Sequence, residues 1–508
     1  MNEKNKKLGQ VFTPSWIVNE ILDSIGYSGE KILDKYIMEP ASGDGIFLLS
    51  IIDRYITAAL KAQYSTSQIQ TNLEKYIYAI ELDTVEYKKS IENLNEFVWK
   101  KLGKKLFIKW QIYNTNTLFE YKKYCNFFDF VVGNPPYIRI HNLDIQTRKY
   151  IKNEFQFIDG TIDIYLSFFE LGIKILNKSG KLGFITPNSF LHNSSYKKFR
   201  DYLKNTKAIQ ILVDLKANKV FKGFSTYTAI SIIQFNNQND SFTYKELVNG
   251  KIKTINKINY KEVNSTDWSF SNDKDNKFIS EISKSESIAI KEYFNVQYGF
   301  ATLRDKLFIA NAKENDSKTV YFNGQLIEKG ILRKIVKGST FRGDISEFKS
   351  IIFPYIKKND RYFVIEEHDL ENKFPLTYKY LLNNKPELLS RDLDKGAKWY
   401  EFGRSQGIQT IHNEKIVCST LMKDSINFYK LPDDVMVYSG LYIVKKSPLI
   451  DWNIIANTLS SVEFMRYIKI TGKDFSGGYK SITSKQIKEF KLEGVPCINQ
   501  NKQAKLAI

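Results

Sequence analysis

One stretch of the chain decides its fold: it runs Ile37-Met38-Glu39-Pro40-Ala41-Ser42-Gly43-Asp44-Gly45 and continues through residues 46–52 as an apolar run. The apolar start predicts a buried strand and the later run predicts a helix, so the glycines lie in the turn between them. Glycine-rich turns of this kind let a ligand approach the backbone closely. No Gly-Lys-Ser/Thr follows, and the spacing differs from Gly-x-Gly-x-x-Gly, so the turn favours a ligand without phosphate.

Working outward, short apolar runs alternate with longer amphipathic segments between about residues 17 and 235. We expect strands at residues 36–38, 77–80, 127–132, 182–185, 209–213 and 228–235. This rhythm indicates an α/β domain with a largely parallel sheet. The stretches 236–240 and 264–277 are rich in Asn, Ser, Asp and Lys, which predicts a domain boundary between about residues 240 and 285. The remaining chain, dense in aromatic and basic clusters, is expected to be mixed α and β.

Composition is compatible with two or three domains, since the chain has 508 residues and 43% of them are hydrophobic. The 75 Lys and Arg exceed the 56 Asp and Glu, which gives a net charge of +19. Such an excess favours a polyanionic partner, although a basic solvated surface would give the same balance. The aromatic content of 14% supplies side chains on which bases can stack.

The three cysteines and four histidines are scattered along the chain, so neither a zinc site nor a disulfide framework is expected. The charged N-terminus meets no apolar segment of the kind found in signal peptides. No stretch approaches the length of a membrane span. We therefore expect a cytoplasmic protein with no membrane partner.

A second strand, residues 76–80, is followed at once by Glu81. In parallel α/β sheets a carboxylate at this position lies at the carboxyl edge, where it can accept hydrogen bonds from ribose hydroxyls. A surface strand cap would also explain Glu81 by itself. The glycine turn one βα unit earlier favours the nucleoside-binding interpretation.

The turn Asn134-Pro135-Pro136-Tyr137 follows the apolar run 127–132 and Gly133. Two prolines remove two donors, so the carbonyls of Asn134 and Pro135 can face a ligand instead of a neighbouring strand. Together with the amide oxygen of Asn134, they form a set of acceptors suited to an amino group, and Tyr137 offers a ring for stacking. An ordinary proline-rich turn is the alternative, and the two upstream features favour a site.

With these motifs in place, the chain resembles the gamma-class, TaqI-like N6-adenine DNA methyltransferases of bacterial restriction-modification systems. The resemblance implies a Rossmann-like domain that binds S-adenosylmethionine, followed by a C-terminal mixed α and β target-recognition domain. On this basis we expect a catalytic domain over residues 1–245, a linker over 246–284 and a DNA target-recognition domain over 285–508.

The family's motifs imply which residues contact the cofactor. Its N-terminal Thr-Pro segment corresponds to residues 9–14 and places Thr13 at the cofactor. Its Asp/Glu-Pro-x-x-Gly-x-Gly loop corresponds to residues 39–45 and places Glu39, Ala41 and Gly43 at the methionine moiety of the cofactor. The family's carboxylate that binds the ribose corresponds to Glu81. The adenine-contacting acidic residue falls on Asn116, which is a departure because an amide carries no charge.

The same resemblance implies direct methyl transfer to an adenine rotated out of the duplex. Asn134 and Pro135 would accept from the amine while Tyr137 and Phe221 stack on the base, with Phe224 as the rival of Phe221. No metal is required, and water takes the released proton. The segments 163–168 and 180–187 are expected to build the pocket wall.

For the second half, the resemblance implies readout of the major groove of double-stranded DNA. Such readout requires side chains that form two hydrogen bonds to one base edge, as Arg and Gln do. Five candidate DNA contacts are Arg342, Arg404, Gln406, Lys473 and Lys480. The last two belong, with Tyr479, to a predicted phosphate clamp. Some relatives carry a nuclease ahead of the methylase. Only eight residues precede Gly9, so we expect methylation without cleavage and any cognate restriction endonuclease acting separately.

Three alternatives stay open. Methyltransferases that act on RNA adenine or on protein glutamine also use an Asn-Pro-Pro-Tyr motif, although the long second half argues against both. A DNA-binding specificity module with an inactive methylase is the third, and the intact Asn134, Tyr137 and Glu81 argue against it. The motif alone also leaves the amine of cytosine open as the acceptor.

Overall fold

A computed structural model of the chain describes residues 13–158, 163–221, 226–235, 240–263, 268–285, 287–475 and 477–492. The chain divides into two compact units, Met1–Asp273 and Lys274–Ile508. Phe224, the rival candidate for stacking, lies outside the described residues, as do residues 9–12 of the N-terminal motif.

The first unit is built on one nine-stranded sheet. Its strands are β1 Ile37–Glu39, β2 Ile77–Glu81, β3 Gln111–Asn114, β4 Phe128–Gly133, β5 Leu176–Pro187, β6 Ile209–Asp214, β7 Thr228–Gln234, β8 Ser241–Val248 and β9 Lys251–Asn259. The spatial order is β3-β2-β1-β4-β5-β7-β6-β8-β9. Strands β1 to β5 are parallel, whereas β7 runs antiparallel to both β5 and β6. All six strands expected from the sequence are present.

Helices connect these strands. They are α1 Ser15–Ile25, α2 Ile46–Lys61, α3 Thr66–Tyr76, α4 Thr84–Leu102, α5 Thr117–Glu120, α6 Ile145–Glu154, α7 Tyr165–Ile175 and α8 Lys197–Asn205. Short 3-10 turns occur at Glu30–Ile32, Tyr121–Tyr124, Ile140–Asn142, Asn188–Leu191 and Ser194–Tyr196. Helix α2 begins where the sequence predicts, directly after Gly45, and extends nine residues beyond the predicted segment.

The sheet separates two hydrophobic cores, because successive side chains of a strand point to opposite faces. In β1, Ile37 packs in the core with α1 and α2, whereas Met38 packs in the core with α7. The apolar positions of α1, such as Ile17 and Ile21, recur at helical spacing and are fully buried. The result is a sheet covered by helices on both faces.

The boundary between the two units lies at a different position from the expected one. Residues 246–259, which were assigned to a linker, complete β8 and form β9 of the sheet. Tyr260, Val263 and Trp268 are buried in the core that also contains Met38. The polar composition of this region reflects an edge strand that faces solvent, with exposed Lys251, Lys253 and Lys257. The first unit therefore ends near residue 273 and not at residue 245.

The second unit combines short helices with several small sheets. Its helices are α9 Asp273–Lys284, α10 Ile290–Tyr293, α11 Asp305–Phe308, α12 Glu367–Lys373, α13 Pro375–Asn383, α14 Lys385–Leu389, α15 Trp452–Ser460, α16 Val462–Thr471 and α17 Ser484–Glu489. Its 3-10 turns are Lys329–Ile331, Ile345–Glu347 and Ile408–Thr410. The expected mixture of α and β is observed.

The strands of the second unit are β10 Phe294–Tyr298, β11 Ile309–Ala310, β12 Lys313–Glu314, β13 Thr319–Phe322, β14 Gln325–Glu328, β15 Leu332–Lys337, β16 Lys349–Ile352, β17 Tyr355–Lys358, β18 Arg361–Val364, β19 Lys415–Cys418, β20 Leu421–Met422, β21 Phe428–Leu431, β22 Val435–Tyr438, β23 Leu441–Lys445, β24 Asp474–Phe475 and β25 Tyr479–Ser481. Two four-stranded sheets, β10-β23-β19-β21 and β11-β16-β15-β22, form its framework. Across the described ranges, no helix combines the length and apolar composition that a membrane span requires.

Candidate active site

The carboxyl ends of β1, β2, β3 and β4 meet at one edge of the sheet of the first unit. The strand order reverses between β1 and β4, and ligands of open α/β sheets bind at such a reversal. A cavity of about 270 Å³ opens there. It is lined by all six residues predicted to contact a cofactor, namely Thr13, Glu39, Ala41, Gly43, Glu81 and Asn116.

The glycine turn shapes one wall of the cavity. Gly43 and Gly45 adopt positive φ angles of 53° and 86°, which side-chain-bearing residues rarely adopt. Gly45 is the N-cap residue of α2, and a Cβ atom there would approach Ser90 Cβ to 3.2 Å. A Cβ atom on Gly43 would meet no atom within 4 Å, so the backbone at this residue is open to a ligand.

Glu81 holds the turn in place. Its two carboxylate oxygens accept hydrogen bonds from Gly43 N at 2.7 Å and from Asp83 N at 2.8 Å. Burial raises the pKa of this carboxyl, whereas the same two backbone donors lower it. Each oxygen retains a lone pair, so Glu81 can support the loop and still accept from a ligand.

Glu39, at the end of β1, is 2% exposed and lines the same cavity. Its pKa lies well above the usual carboxyl range, first because of burial and then because of the nearby charges of Glu81 and Asp44. Among the described residues, no group donates a hydrogen bond to its Oε2 atom. A cationic ligand in the cavity would offset the repulsion and favour the ionised form of Glu39.

Asn116 follows β3 and serves as the N-cap of α5, where its side-chain oxygen accepts from Leu118 N at 3.1 Å. The residue also lines the cavity. The side chain thus has a structural task in addition to any contact with a ligand. Its oxygen retains one lone pair for an exocyclic amine.

The turn 134–137 follows β4 at the same edge. Asn134 lines the cavity and donates from Nδ2 to Thr13 Oγ1 at 3.0 Å, which ties the N-terminal segment to this turn. Pro136 also lines the cavity, whereas Pro135 and Tyr137 are not among its lining residues. The Tyr137 hydroxyl donates to the carbonyl of Ile185 at 3.4 Å, and burial raises its pKa.

Tyr137 and Phe221 are neighbours, as expected from the sequence. Their ring centroids are 6.4 Å apart, but the planes meet at 73° in an edge-to-face contact. Phe221 is only 4% exposed and packs in the core with Ile185 and Val213. A base held between both rings would require a rotation of at least one of them.

Several lining residues escaped the sequence analysis. Asn142, Leu143, Asp144 and Thr147, at and before the start of α6, contribute to the cavity. The sequence does carry a signal for them, because Asp144 caps α6 by accepting from Thr147 N at 2.9 Å. Of the two segments expected to form the wall, Ile164 and Phe168 of the first line the cavity, while residues 180–187 form part of β5.

The five candidate DNA contacts differ in their surroundings. Arg342, Gln406 and Lys473 are exposed. The Arg404 guanidinium donates to Asp392 Oδ2 at 2.9 Å and lies 3.5 Å from an oxygen of Asp394. Lys480 forms a 2.7 Å ion pair with Asp474. Arg404 and Lys480 are thus engaged with carboxylates of their own unit, which weakens them as contacts for an anionic polymer.

Residues 45–221 match the sequence model described as Eco57I restriction-modification methylase, a segment that includes Glu81 and the turn 134–137. Over this segment the chain is similar to members of this family. Its homologues are Type II methyltransferases of bacteria.

One relative of the chain is the Type II restriction enzyme and methyltransferase RM.Eco57I of Escherichia coli, which is 29% identical over 330 residues. That match covers 58% of the chain and 32% of the relative. M.BstVI of Geobacillus stearothermophilus is 28% identical, with 48% and 46% covered. The chain therefore spans a third to a half of the length of these two relatives. M.AccI of Acinetobacter calcoaceticus is 25% identical over 453 residues, with 81% and 74% covered.

Two solved structures share the fold of the chain. The restriction-modification enzyme MmeI, solved in complex with DNA, superposes with a TM-score of 0.61 at 12% identity, covering 95% of the chain and 68% of MmeI. The DrdV–DNA complex superposes with a TM-score of 0.53 at 12% identity, covering 87% and 49%.

Proposed function

We propose that the chain is a site-specific DNA methyltransferase that transfers a methyl group from S-adenosylmethionine to N6 of an adenine rotated out of double-stranded DNA. One observation carries this proposal. The acceptor-rich turn 134–137 lies at the edge of a cavity that is lined by Glu39 and Glu81. In this arrangement a methyl donor bound in the cavity would lie beside an amine-binding turn, as in-line group transfer requires.

The residues of the cavity fit S-adenosylmethionine. This ligand carries a sulfonium and an ammonium group, and the buried Glu39 oxygen without a donor is suited to a cation. Glu81 would accept from the ribose hydroxyls, Asn116 from the exocyclic amine, and Ala41 and Gly43 would lie against the methionine moiety. Thr13 would close the site through its bond to Asn134. When bound, the cofactor supplies an electrophilic methyl group.

The chain's own groups would prepare the acceptor amine. The side-chain oxygen of Asn134 and the carbonyl of Pro135 accept from the amine and stabilise positive charge as it develops on nitrogen. Tyr137 and Phe221 hold the base by stacking, which requires the ring rotation described above. No group of three or more potential metal ligands occurs in the described ranges, and this mechanism requires none. The released proton passes to water.

DNA as the substrate is supported by the net charge of +19 and by the similarity to Type II methyltransferases. Methylation at a defined sequence would protect host DNA in a restriction-modification system, with double-stranded DNA bound by the second unit. The cognate endonuclease, where one exists, would be a separate protein. RNA adenine methylation and an inactive specificity module remain the alternatives.

The test combines radiolabelled S-adenosylmethionine with duplex DNA or RNA and compares the wild type with Asn134→Ala. We expect transfer to duplex DNA only, and a loss of at least about 100-fold in the variant, because an acceptor aimed at developing charge is removed. Asn95→Ala is the matched control, since Asn95 lies on the surface and accepts from Trp110.

Single-molecule sequencing of DNA from expressing cells would then locate the modified base. N6-methyladenine in a defined motif supports the proposal, and N4-methylcytosine would overturn the choice of base. Transfer to RNA instead of DNA would favour the first alternative. Binding to DNA without any transfer would favour the inactive module.

A further inference from the structure

A small sheet in the second unit has two faces of different character. It consists of β20, β25 and β24, with β25 in the centre. Phe475 pairs with Tyr479 across one antiparallel ladder, and Met422 pairs with Lys480 across the other. Directly opposed residues point to the same side of a sheet, so each pair marks one face.

The inner face is fixed to the core of the second unit. Met422 is fully buried, and Lys480 next to it forms the 2.7 Å ion pair with Asp474. Lys480 was expected to belong to a phosphate clamp with Lys473 and Tyr479, but it points away from Tyr479. The alternation of β25 is the reason, because adjacent residues of a strand point to opposite faces.

The outer face carries large side chains that the fold does not cover. Phe475 is 41% exposed, Tyr479 is 42% exposed and Leu421 is 38% exposed. The ammonium of Lys423, which is also exposed, lies 5.9 Å from the centroid of the Tyr479 ring. We refer to Leu421, Lys423, Phe475 and Tyr479 as the aromatic face.

Two glycines directly precede β25, beside this face. Gly477 and Gly478 both have φ angles of 80°, a conformation that favours glycine. No side chain therefore stands at these two positions of the hairpin, next to the two rings. Such a hairpin can approach a groove or a sugar-phosphate backbone closely.

We propose that the aromatic face is a DNA-binding surface, in which Phe475 and Tyr479 pack against sugars and bases while Lys423 contacts a phosphate. This inference rests on the proposed function in that it specifies how the second unit would bind the same substrate. Exposed aromatic side chains next to a cation match the surface of a DNA duplex, which offers apolar sugar faces and base edges beside anionic phosphates. The net charge of +19 favours the same partner over a protein surface of mixed charge.

The experiment measures binding of the full chain to a fluorescent duplex of random sequence by anisotropy over a range of salt concentrations. Tyr479→Ala should weaken binding about tenfold, because the contact of the ring with the sugars and base edges of the duplex is lost. Lys423→Gln should reduce the slope of log affinity against log salt by about 1, the change expected when one phosphate contact is lost. Tyr479→Phe keeps the ring and should retain wild-type affinity, which separates ring loss from misfolding.

Two matched controls lie elsewhere on the second unit. Phe363→Ala removes an aromatic side chain that is 51% exposed on β18, and Lys334→Gln removes an exposed lysine of β15 that pairs with Asp434. Both should bind DNA as the wild type does. If Tyr479→Ala and Lys423→Gln bind DNA as well as these controls, the inference is overturned, and retained binding would point to a protein partner for the face.

Methyl transfer distinguishes this inference from the proposed function. Transfer by the wild type to unmethylated genomic DNA is measured alongside the binding of the variants. Wild-type transfer together with unchanged DNA affinity of the variants would refute the aromatic face and leave the proposed function intact. Absence of transfer in the wild type, with binding that depends on Tyr479, would refute the proposed function alone.

Discussion

Glu39 and Glu81 show how differently two carboxylates can be used in one cavity. Glu81 accepts from two backbone N–H groups, so its first role is to fix the glycine turn. Glu39 is more deeply buried and keeps one oxygen without a donor among the described residues. Glu81 therefore supports the loop. The ionised form of Glu39 receives less stabilisation from hydrogen bonds, so a cationic ligand would stabilise it more.

Lys415 in the second unit gives a pH-dependent prediction. The side chain is fully buried and donates to the carbonyl of Val435 at 2.8 Å. Burial lowers its pKa to about 8, whereas an unfolded lysine has a pKa of roughly 10.4. Between these values the unfolded chain binds more protons, so the stability contributed by this site rises with pH.

Urea unfolding of the wild type and of Lys415→Met at about pH 7 and about pH 10 tests this expectation. Relative to the variant, the wild type should gain about 2 kcal/mol in free energy of unfolding at the higher pH. Lys430→Met is the control, since Lys430 is exposed in its ion pair with Glu414. Parallel pH profiles for wild type and Lys415→Met would contradict the prediction.

Sequence alone predicted which residues would gather at the carboxyl edge of the sheet, where they line one cavity. Glu39, Glu81 and Asn134 each follow an apolar run, and parallel strands bring their ends to one edge. The orientation of Phe221 could not be predicted, because its edge-to-face contact depends on packing against distant core residues. The ion pairs of Arg404 could not be predicted from the sequence either, because only the fold of a loop brings Asp392 and Asp394 close to it.

At the scale of elements, the glycine turn between β1 and α2 allows a matched pair of substitutions. Gly43 and Gly103 both have positive φ angles, and a Cβ atom on either would meet nothing within 4 Å. Gly43 lines the cavity, whereas Gly103 caps the end of α4. Alanine at either position should cost a similar 1 to 2 kcal/mol, roughly, in stability because of the left-handed backbone.

Only Gly43→Ala should weaken binding of S-adenosylmethionine, because its methyl group would occupy space that the proposed ligand needs. Isothermal titration calorimetry measures the affinity, and thermal unfolding confirms that both variants lose similar stability. Equal affinity of Gly43→Ala and Gly103→Ala for the cofactor would show that the turn does not contact it.

Elements with strong apolar runs were predictable, and the edge of the sheet was not. The six expected strands are buried and rich in β-branched residues, which gives them a clear sequence pattern. Strand β9 instead has isoleucine only at every third position, 252, 255 and 258, among lysine, threonine and asparagine, and four of its residues are exposed. That composition is hard to distinguish from a linker, and the domain boundary was misplaced for this reason.

For the whole molecule, the division at residue 273 predicts which fragments fold. Residues 1–273 include β9 together with the buried Tyr260 and Trp268, so this fragment should be monomeric and should bind S-adenosylmethionine. Without the second unit it should transfer methyl groups to DNA far more slowly than the full chain.

A fragment of residues 1–245 ends within β8 and removes both aromatic side chains from the core, so it should aggregate or unfold. Circular dichroism, gel filtration and calorimetry compare the two fragments. Equal stability of both would show that the β8–β9 hairpin is not an integral part of the first unit.

The lysines of β9 have a further consequence for the behaviour of the protein in concentrated solution. An open sheet can recruit a strand from another copy at either edge, which starts aggregation. One edge of this sheet is the four-residue β3, and the other carries exposed Lys251, Lys253 and Lys257. A short strand offers few backbone groups, and a row of like charges repels its own copy. Both edges therefore oppose self-association through the backbone.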